Sequence, residues 1–199
     1  MEEYIIKNAS EFPVIKKLIP YLKNTSGFIA GGVFKDVFLS SDFRDLDIFF
    51  ENINEFRISI NKLKNDLQFI KTYSNQNAVG IYDNTNKINI DLVTKKFGNP
   101  KQILDSFDFS VSKFSLFRDK NNEFKVIYHQ YFFEDLATKS LRFNIETVNP
   151  VAQLSRVIKY SGYGFKINKL DFLRLMQQIN ELESERFKNL SLNNFYSYY

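Results

Sequence analysis

Asp45 and Asp47 stand one residue apart in RDLDIFF, directly before a hydrophobic run. Side chains alternate across a strand, so Asp45, Asp47 and Phe49 face one way while Leu46, Ile48 and Phe50 face the other. Ordinary strand rise then holds the two acids about 6–7 Å apart on one face. The same parity in KINIDLV gathers Ile88, Ile90 and Leu92 on an apolar face and Asn89, Asp91 and Val93 on the opposite one. If the two strands are neighbours, Asp91 joins Asp45 and Asp47. Three clustered carboxylates repel one another unless cations share the space, so the set is a candidate for holding divalent metal. With no Cys and a single His in the chain, oxygen-only donors favour Mg²⁺ or Mn²⁺ over zinc. Such ions bridge phosphates and stabilise the charge that develops in phosphoryl transfer. Taken alone, the pair also fits a merely solvated strand face.

A glycine pair, Gly31-Gly32, precedes these acids in GFIAGGVFKDVFL, between an expected strand and an expected short helix. Missing side chains there let backbone N–H groups approach a phosphate, and a helix start favours negative charge. A plain turn is the other reading of the pair. The sequence holds no G-x-x-x-x-G-K-[ST] loop and no G-x-G-x-x-G fingerprint.

The elements that must position these residues follow from periodicity and turn chemistry. In EFPVIKKLIPYLK the apolar Val14, Leu18 and Leu22 recur at a helical spacing, with Pro20 set to kink or end the helix. GFIA and RDLDIFF read as strands, VFKDVFL as a brief helix, and residues 54–66 as a second helix. Two strand pairs follow, one around Asp83-Asn84-Thr85-Asn86 and one, rich in aromatics, around Asp119-Lys120-Asn121-Asn122. Helices are expected near 132–141, 150–160 and 168–187, with Asn149-Pro150 as a cap and first-turn proline.

A chain of 199 residues, 44% of them hydrophobic, can bury a full core. The absence of Cys excludes disulfides and thiolate chemistry. The opening MEEYIIKNASEF does not resemble a signal peptide, and no stretch of about 18 apolar residues is present to cross a membrane, so the expected location is the cytoplasm. The net charge of +4 is modest for a dedicated nucleic-acid binder. Basic residues nevertheless concentrate between Asp135 and Arg174, where seven Lys or Arg face three acids. Lys139, Arg142, Arg156 and Lys159 are therefore candidates for contacting phosphate or an acceptor, with a solvated helical face as the alternative. His129 is better read as a satisfied or solvent-facing side chain than as a base. Most of Phe107, Phe109, Phe114, Phe117, Tyr128, Tyr131, Phe132 and Phe133 are expected in the core, leaving one or two to stack bases. The final NLSLNNFYSYY reads as either a docked or a disordered tail.

FIAGGVFKDVFLSSDFRDLDIFF resembles the opening of the polymerase-β-type nucleotidyltransferases, in particular the head domain of poly(A) polymerases and tRNA CCA-adding enzymes. Gly31, Gly32, Lys35, Asp36, Asp45 and Asp47 match that pattern in order and spacing, with Lys35 in place of the usual arginine. FDFSVSKFSL is similar to a later block of the family through Asp108, Phe109 and Ser110. NPVAQLSRVIKYSGYGFKI resembles its neck segment loosely, through Leu154, Arg156, Gly164 and Phe165. The resemblance implies an α/β (α+β) fold, with a nucleotidyltransferase-like mixed sheet and flanking helices over residues 1–130. A small helical part over 131–199 would follow. It further implies that Asp45 and Asp47 bind metal and nucleoside triphosphate, and that Gly31, Gly32, Lys35 and Asp36 form the nucleotide-binding segment. Asp91 is then the third catalytic carboxylate. The long helical body and the Asp-x-x-Arg motif of CCA-adding enzymes have no clear counterpart. The expected activity is transfer of a nucleoside monophosphate from an NTP to a hydroxyl, with RNA, including tRNA, as the leading acceptor. A protein side chain is the alternative acceptor, and a catalytically silent nucleotide- or RNA-binding module the alternative function.

Overall fold

The computed structural model describes residues 3–64, 66, 68–142 and 149–181. The chain forms two compact units, Met1–Phe107 with Val111–Phe132, and Asp108–Ser110 with Phe133–Tyr199. The strands of the first are β1 (Tyr4–Asn8), β2 (Phe28–Ala30), β3 (Asp45–Phe49), β4 (Phe69–Ser74), β5 (Ala78–Asp83), β6 (Ile88–Val93), β7 (Phe114–Arg118) and β8 (Phe124–His129). They make one eight-stranded sheet in the order β1-β8-β7-β2-β3-β6-β5-β4. β3 and β6 run parallel and the other pairs antiparallel. The helices of this unit are α1 (Val33–Phe38), α2 (Ile53–Lys64) and α3 (Pro100–Leu104). The mixed sheet with flanking helices expected from the sequence is thus the fold observed.

The two faces of the sheet differ. On one, register aligns Val126, Leu116, Ile29 and Ile48 across β8, β7, β2 and β3, and Ile48 with Leu92 of β6. All five are at most 1% exposed, which makes this row the spine of the main core. The opposite face carries a smaller cluster in which Phe28, Ala30, Phe49 and Ile127 are covered by Ile103 and Leu104 of α3. Asn99 starts α3 with a reciprocal capping box to Gln102, followed by Pro100 in the first turn. α3 shields Phe49, yet Asp45 on the same face of β3 remains exposed. One strand face therefore passes from acidic to apolar over its own length.

The segment Pro13–Leu22 is a 3-10 helix and buries Ile15, Leu18 and Leu22, while Val14 is 47% exposed. The expected Val14-Leu18-Leu22 stripe is corrected at its first member. A three-residue turn aligns i with i+3, which brings Ile15 rather than Val14 over Leu18.

In the second unit are α4 (Phe132–Thr138, whose first residue belongs to the first unit), α5 (Pro150–Gly162) and α6 (Lys169–Asn180). A parallel two-stranded ribbon joins β9 (Ser140–Leu141) to β10 (Lys166–Ile167). Asn149 caps α5 by accepting from the Ala152 amide at 3.0 Å, and Pro150 takes the first turn, as the sequence indicates. The helix expected over 132–141 ends at Thr138 instead, because Lys139 turns to φ +55° and the next two residues pair as strand. Residues 182–187 of the last expected helix, and the terminal NLSLNNFYSYY, lie outside the described residues.

The register of β6 is set by its turn. The buried Asp83 accepts from the Thr85 and Asn86 amides at 2.9 and 3.0 Å, from Asn86 Nδ2 at 2.7 Å and from Gln68 Nε2 at 2.9 Å. Burial pushes the carboxyl upward, but these donors outweigh it and hold Asp83 below the usual aspartate range. A group lowered in the folded state contributes stability above its unfolded pKa and loses it as pH falls through the folded value. Asp83→Asn is therefore expected to lower the melting temperature at pH 7. Melting curves recorded from pH 7 downward should show the gap to the parent narrowing below about pH 4. A gap independent of pH would contradict the charge assignment.

Candidate active site

Adjacent β3 and β6 set Asp45 opposite Asn89 and Asp47 opposite Asp91. The acids expected from parity to share a face do so, with Asp45 exposed and Asp47 and Asp91 half-buried. Asn89 Nδ2 donates to Asp45 Oδ1 at 3.2 Å. Asp91 accepts from the hydroxyl of Tyr73, a residue of β4 that the sequence reading did not include. Tyr73, Gly80, Asp91 and Asp47 form one register row across β4, β5, β6 and β3. A Cβ on Gly80 would lie 2.1 Å from the Tyr73 ring, so the missing side chain is what lets the ring cross β5 to Asp91. The β4–β5 register also shifts between Lys71 and Tyr73, which re-aims the tyrosine. A lone glycine inside a strand is the sequence signal for such an approach.

The electrostatics agree with this convergence. Burial raises the Asp91 carboxyl above its ordinary value, the Tyr73 hydrogen bond pulls it down, and the negative charge of Asp45 adds to the rise. The Tyr73 phenol, although the residue stays 40% exposed, is also raised, first by partial burial, then by its hydrogen bond to Asp91 and the charges of Asp91, Asp47 and Asp45. A single phenol thus senses all three acids.

Gly31 closes the site from the side of β2. Its φ of +100° suits glycine, and its amide donates to the Phe114 carbonyl at 3.1 Å. A Cβ there would stand 3.8 Å from Asp47 Oδ2 and 3.6 Å from the Phe107 ring. Gly31 and Asp47 are therefore neighbours, with Phe107 beside them. Gly32 caps α1, on which the buried Lys35 forms an ion pair with Asp36. Among the described residues, no three His, Cys, Asp or Glu side chains make a ready-formed metal cage. Asp45 and Asp91 instead take neutral donors, Asn89 and Tyr73, as like charges crowded on one face do. The donor set is nonetheless all oxygen, mutually repelling and open on the Asp45 side, which fits a hard divalent cation.

The other sequence candidates belong to the second unit. Arg142 pairs with Glu134 at 2.8 Å and with the buried Asp135 at 3.2 Å. Arg156 pairs with Asp108, and Lys139 Nζ lies 4.7 Å from the centre of the Phe165 ring. Lys159 is half-buried in the last turn of α5. Ser110 donates to Asp135, and Phe109 packs edge-on against Tyr160, so the block around Asp108 contributes to this unit's interior. His129, in the first unit, is 7% exposed; its Nδ1 accepts from the Tyr131 amide at 3.2 Å and its ring meets Tyr4 edge-on.

A family model described as Gabija anti-defense 2 family protein matches residues 3–139. The chain belongs to this family. A curated relative, Gabija anti-defense 2 of Bacillus phage SPbetaL7, is 24% identical over 176 residues, covering 88% of this chain and 42% of its own length. The chain thus spans less than half of that Gabija anti-defense 2 protein. Solved structures of similar fold include the Thermotoga maritima CCA-adding enzyme complexed with tRNA, with a TM-score of 0.63 at 14% identity, covering 89% of this chain and 46% of that one. A CCA-adding enzyme complexed with ATP has a TM-score of 0.68 at 18% identity, covering 92% of this chain and 48% of that one. This Gabija anti-defense 2 family member therefore has the nucleotidyltransferase fold of CCA-adding enzymes. Among its described residues no helix is long and apolar enough to cross a membrane.

A carboxyl raised by folding leaves stability intact below the unfolded pKa and removes it as pH rises through the folded one. Asp91→Asn should therefore melt higher than the parent at pH 7 to 8 in chelator-treated buffer. The difference should close below about pH 4, where both side chains are neutral. Melting temperatures across that range check it, and a variant no more stable at neutral pH would contradict the crowding of charge.

Proposed function

We propose that the chain is a metal-dependent nucleotidyltransferase that moves a nucleoside monophosphate from an NTP to a hydroxyl and releases pyrophosphate. The observation that carries this reading is the pairing of Asp47 with Asp91 on parallel neighbours, beside Asp45 and Gly31. The shared fold with an ATP-bound and a tRNA-bound CCA-adding enzyme supports it. In this reading Asp45, Asp47 and Asp91 hold Mg²⁺ or Mn²⁺, which supplies positive charge against the phosphates when bound. Asp91, whose carboxyl is raised by burial, orients the acceptor hydroxyl and receives its proton. The open backbone at Gly31-Gly32 leaves room for the triphosphate beside Asp47, and the half-buried Phe107 offers a ring to the base. Lys35 and Asp36, paired on α1, act by holding that segment in place.

The likeness to a tRNA-bound enzyme supports RNA as acceptor. A second reading, transfer to a protein hydroxyl, is favoured by the side chains that Arg142, Arg156 and Lys139 already engage within the second unit. Membership in a family described as anti-defense accords with a macromolecular acceptor belonging to the opposing defence. Incubation with α-labelled NTPs and Mg²⁺, once with mixed RNA and once with host lysate, tests both. Label is expected in nuclease-sensitive material for the first acceptor and in protein bands for the second. The Asp45→Ala, Asp47→Ala double variant should lose transfer by several orders of magnitude. Transfer that survives in that variant would sink the site, and no transfer by the parent to either acceptor would leave the silent binding module as the better account.

A further inference from the structure

Gly80 sits in the middle of β5, where it lacks any side chain to pack, and the Tyr73 ring fills the space that a Cβ would need. Glycine weakens a strand interior, so its presence marks a close approach that the fold requires. The approach ends at Asp91, on the strand beyond. β4 is an outer strand of the sheet and gives up regular pairing between Lys71 and Tyr73 to aim this side chain. Two local departures from regular strand structure thus serve one contact.

We propose that Tyr73 is a positioning residue for the third carboxylate, its hydroxyl fixing the Asp91 rotamer so that one oxygen is engaged and the other is presented toward Asp47 and Asp45. This rests on the nucleotidyltransferase reading. Tyr73 touches neither nucleotide nor acceptor in this role; it acts through Asp91. A carboxylate held in one rotamer loses little freedom on meeting a cation or an acceptor hydroxyl, and outer partners of this kind typically change metal affinity or activity by about 10- to 100-fold. Asn89 serves Asp45 in the same sense but from the adjacent position of the parallel pair, at 3.2 Å and exposed to water. Tyr73 is itself 40% exposed, and what sets it apart is that its ring occupies the space over Gly80.

The test is a cycle of Tyr73→Phe, Asp91→Asn and the double variant. Phenylalanine keeps the ring over Gly80 and removes only the hydroxyl, so folding should persist, checked by melting in metal-free buffer. The expected result is a kcat for transfer at least tenfold lower in Tyr73→Phe with KM for NTP within about twofold, and Mn²⁺ bound about tenfold more weakly. In the Asp91→Asn background, Tyr73→Phe should change neither quantity further, since the two groups act as a unit. An unchanged kcat and Mn²⁺ affinity in Tyr73→Phe would overturn the proposal, as would an equal loss in the Asp91→Asn background. If the parent transfers nothing, Mn²⁺ titration still decides: a Tyr73-dependent Mn²⁺ site would overturn the transferase reading alone. A parent that binds no Mn²⁺ would overturn both.

Discussion

Like charges on one sheet face are the constraint from which the rest follows. Asp47 and Asp91 lie in register on adjacent parallel strands, with Asp45 one step along the face. Folding has to hold this repulsion in place, and every neighbouring element contributes. The apolar row on the opposite face fixes β3 and β6 against the core. The Asp83 turn sets the register of β6, and a slip of one residue there would send Asp91 into that core and Ile90 to solvent. α3 covers Phe49 and leaves the acidic end of the strand open. Neutral donors from Asn89 and Tyr73 temper the crowding without removing it.

Much of this was legible in the sequence because parity is a strict rule. Alternation alone assigned Asp45, Asp47 and Asp91 to their faces, and DNTN and DKNN identified the two turns. Asn149-Pro150 marked the start of α5 for an equally local reason. What escaped were elements whose signals depend on tertiary context. β1 is an outer strand with four of its five residues exposed, and β4 has five of six exposed, so neither shows apolar alternation. Tyr73 escaped with β4. α3 has only five residues, too few for a helical period to appear. The Val14 stripe failed because the segment takes the 3-10 spacing.

Charge counting was the weaker guide. The basic stretch from Asp135 to Arg174 invited a polyanion, yet Arg142 and Arg156 meet acids of their own unit, and Asp108 and Asp135 are distant from them in sequence or across a turn. Pairing of that kind cannot be read from composition, whereas the face of a strand residue can. In the proposed reading the function rests on the first unit, where burial, backbone and charge act on the same few residues.

The central claim is that Asp47 and Asp91 form a cation-dependent nucleotide site. Its most direct test is electron paramagnetic resonance of Mn²⁺ titrated into the protein with a non-hydrolysable NTP analogue. The account predicts bound Mn²⁺ whose signal depends on the analogue and is lost in Asp47→Asn while the variant remains folded. Equal Mn²⁺ and analogue binding by parent and Asp47→Asn would contradict it.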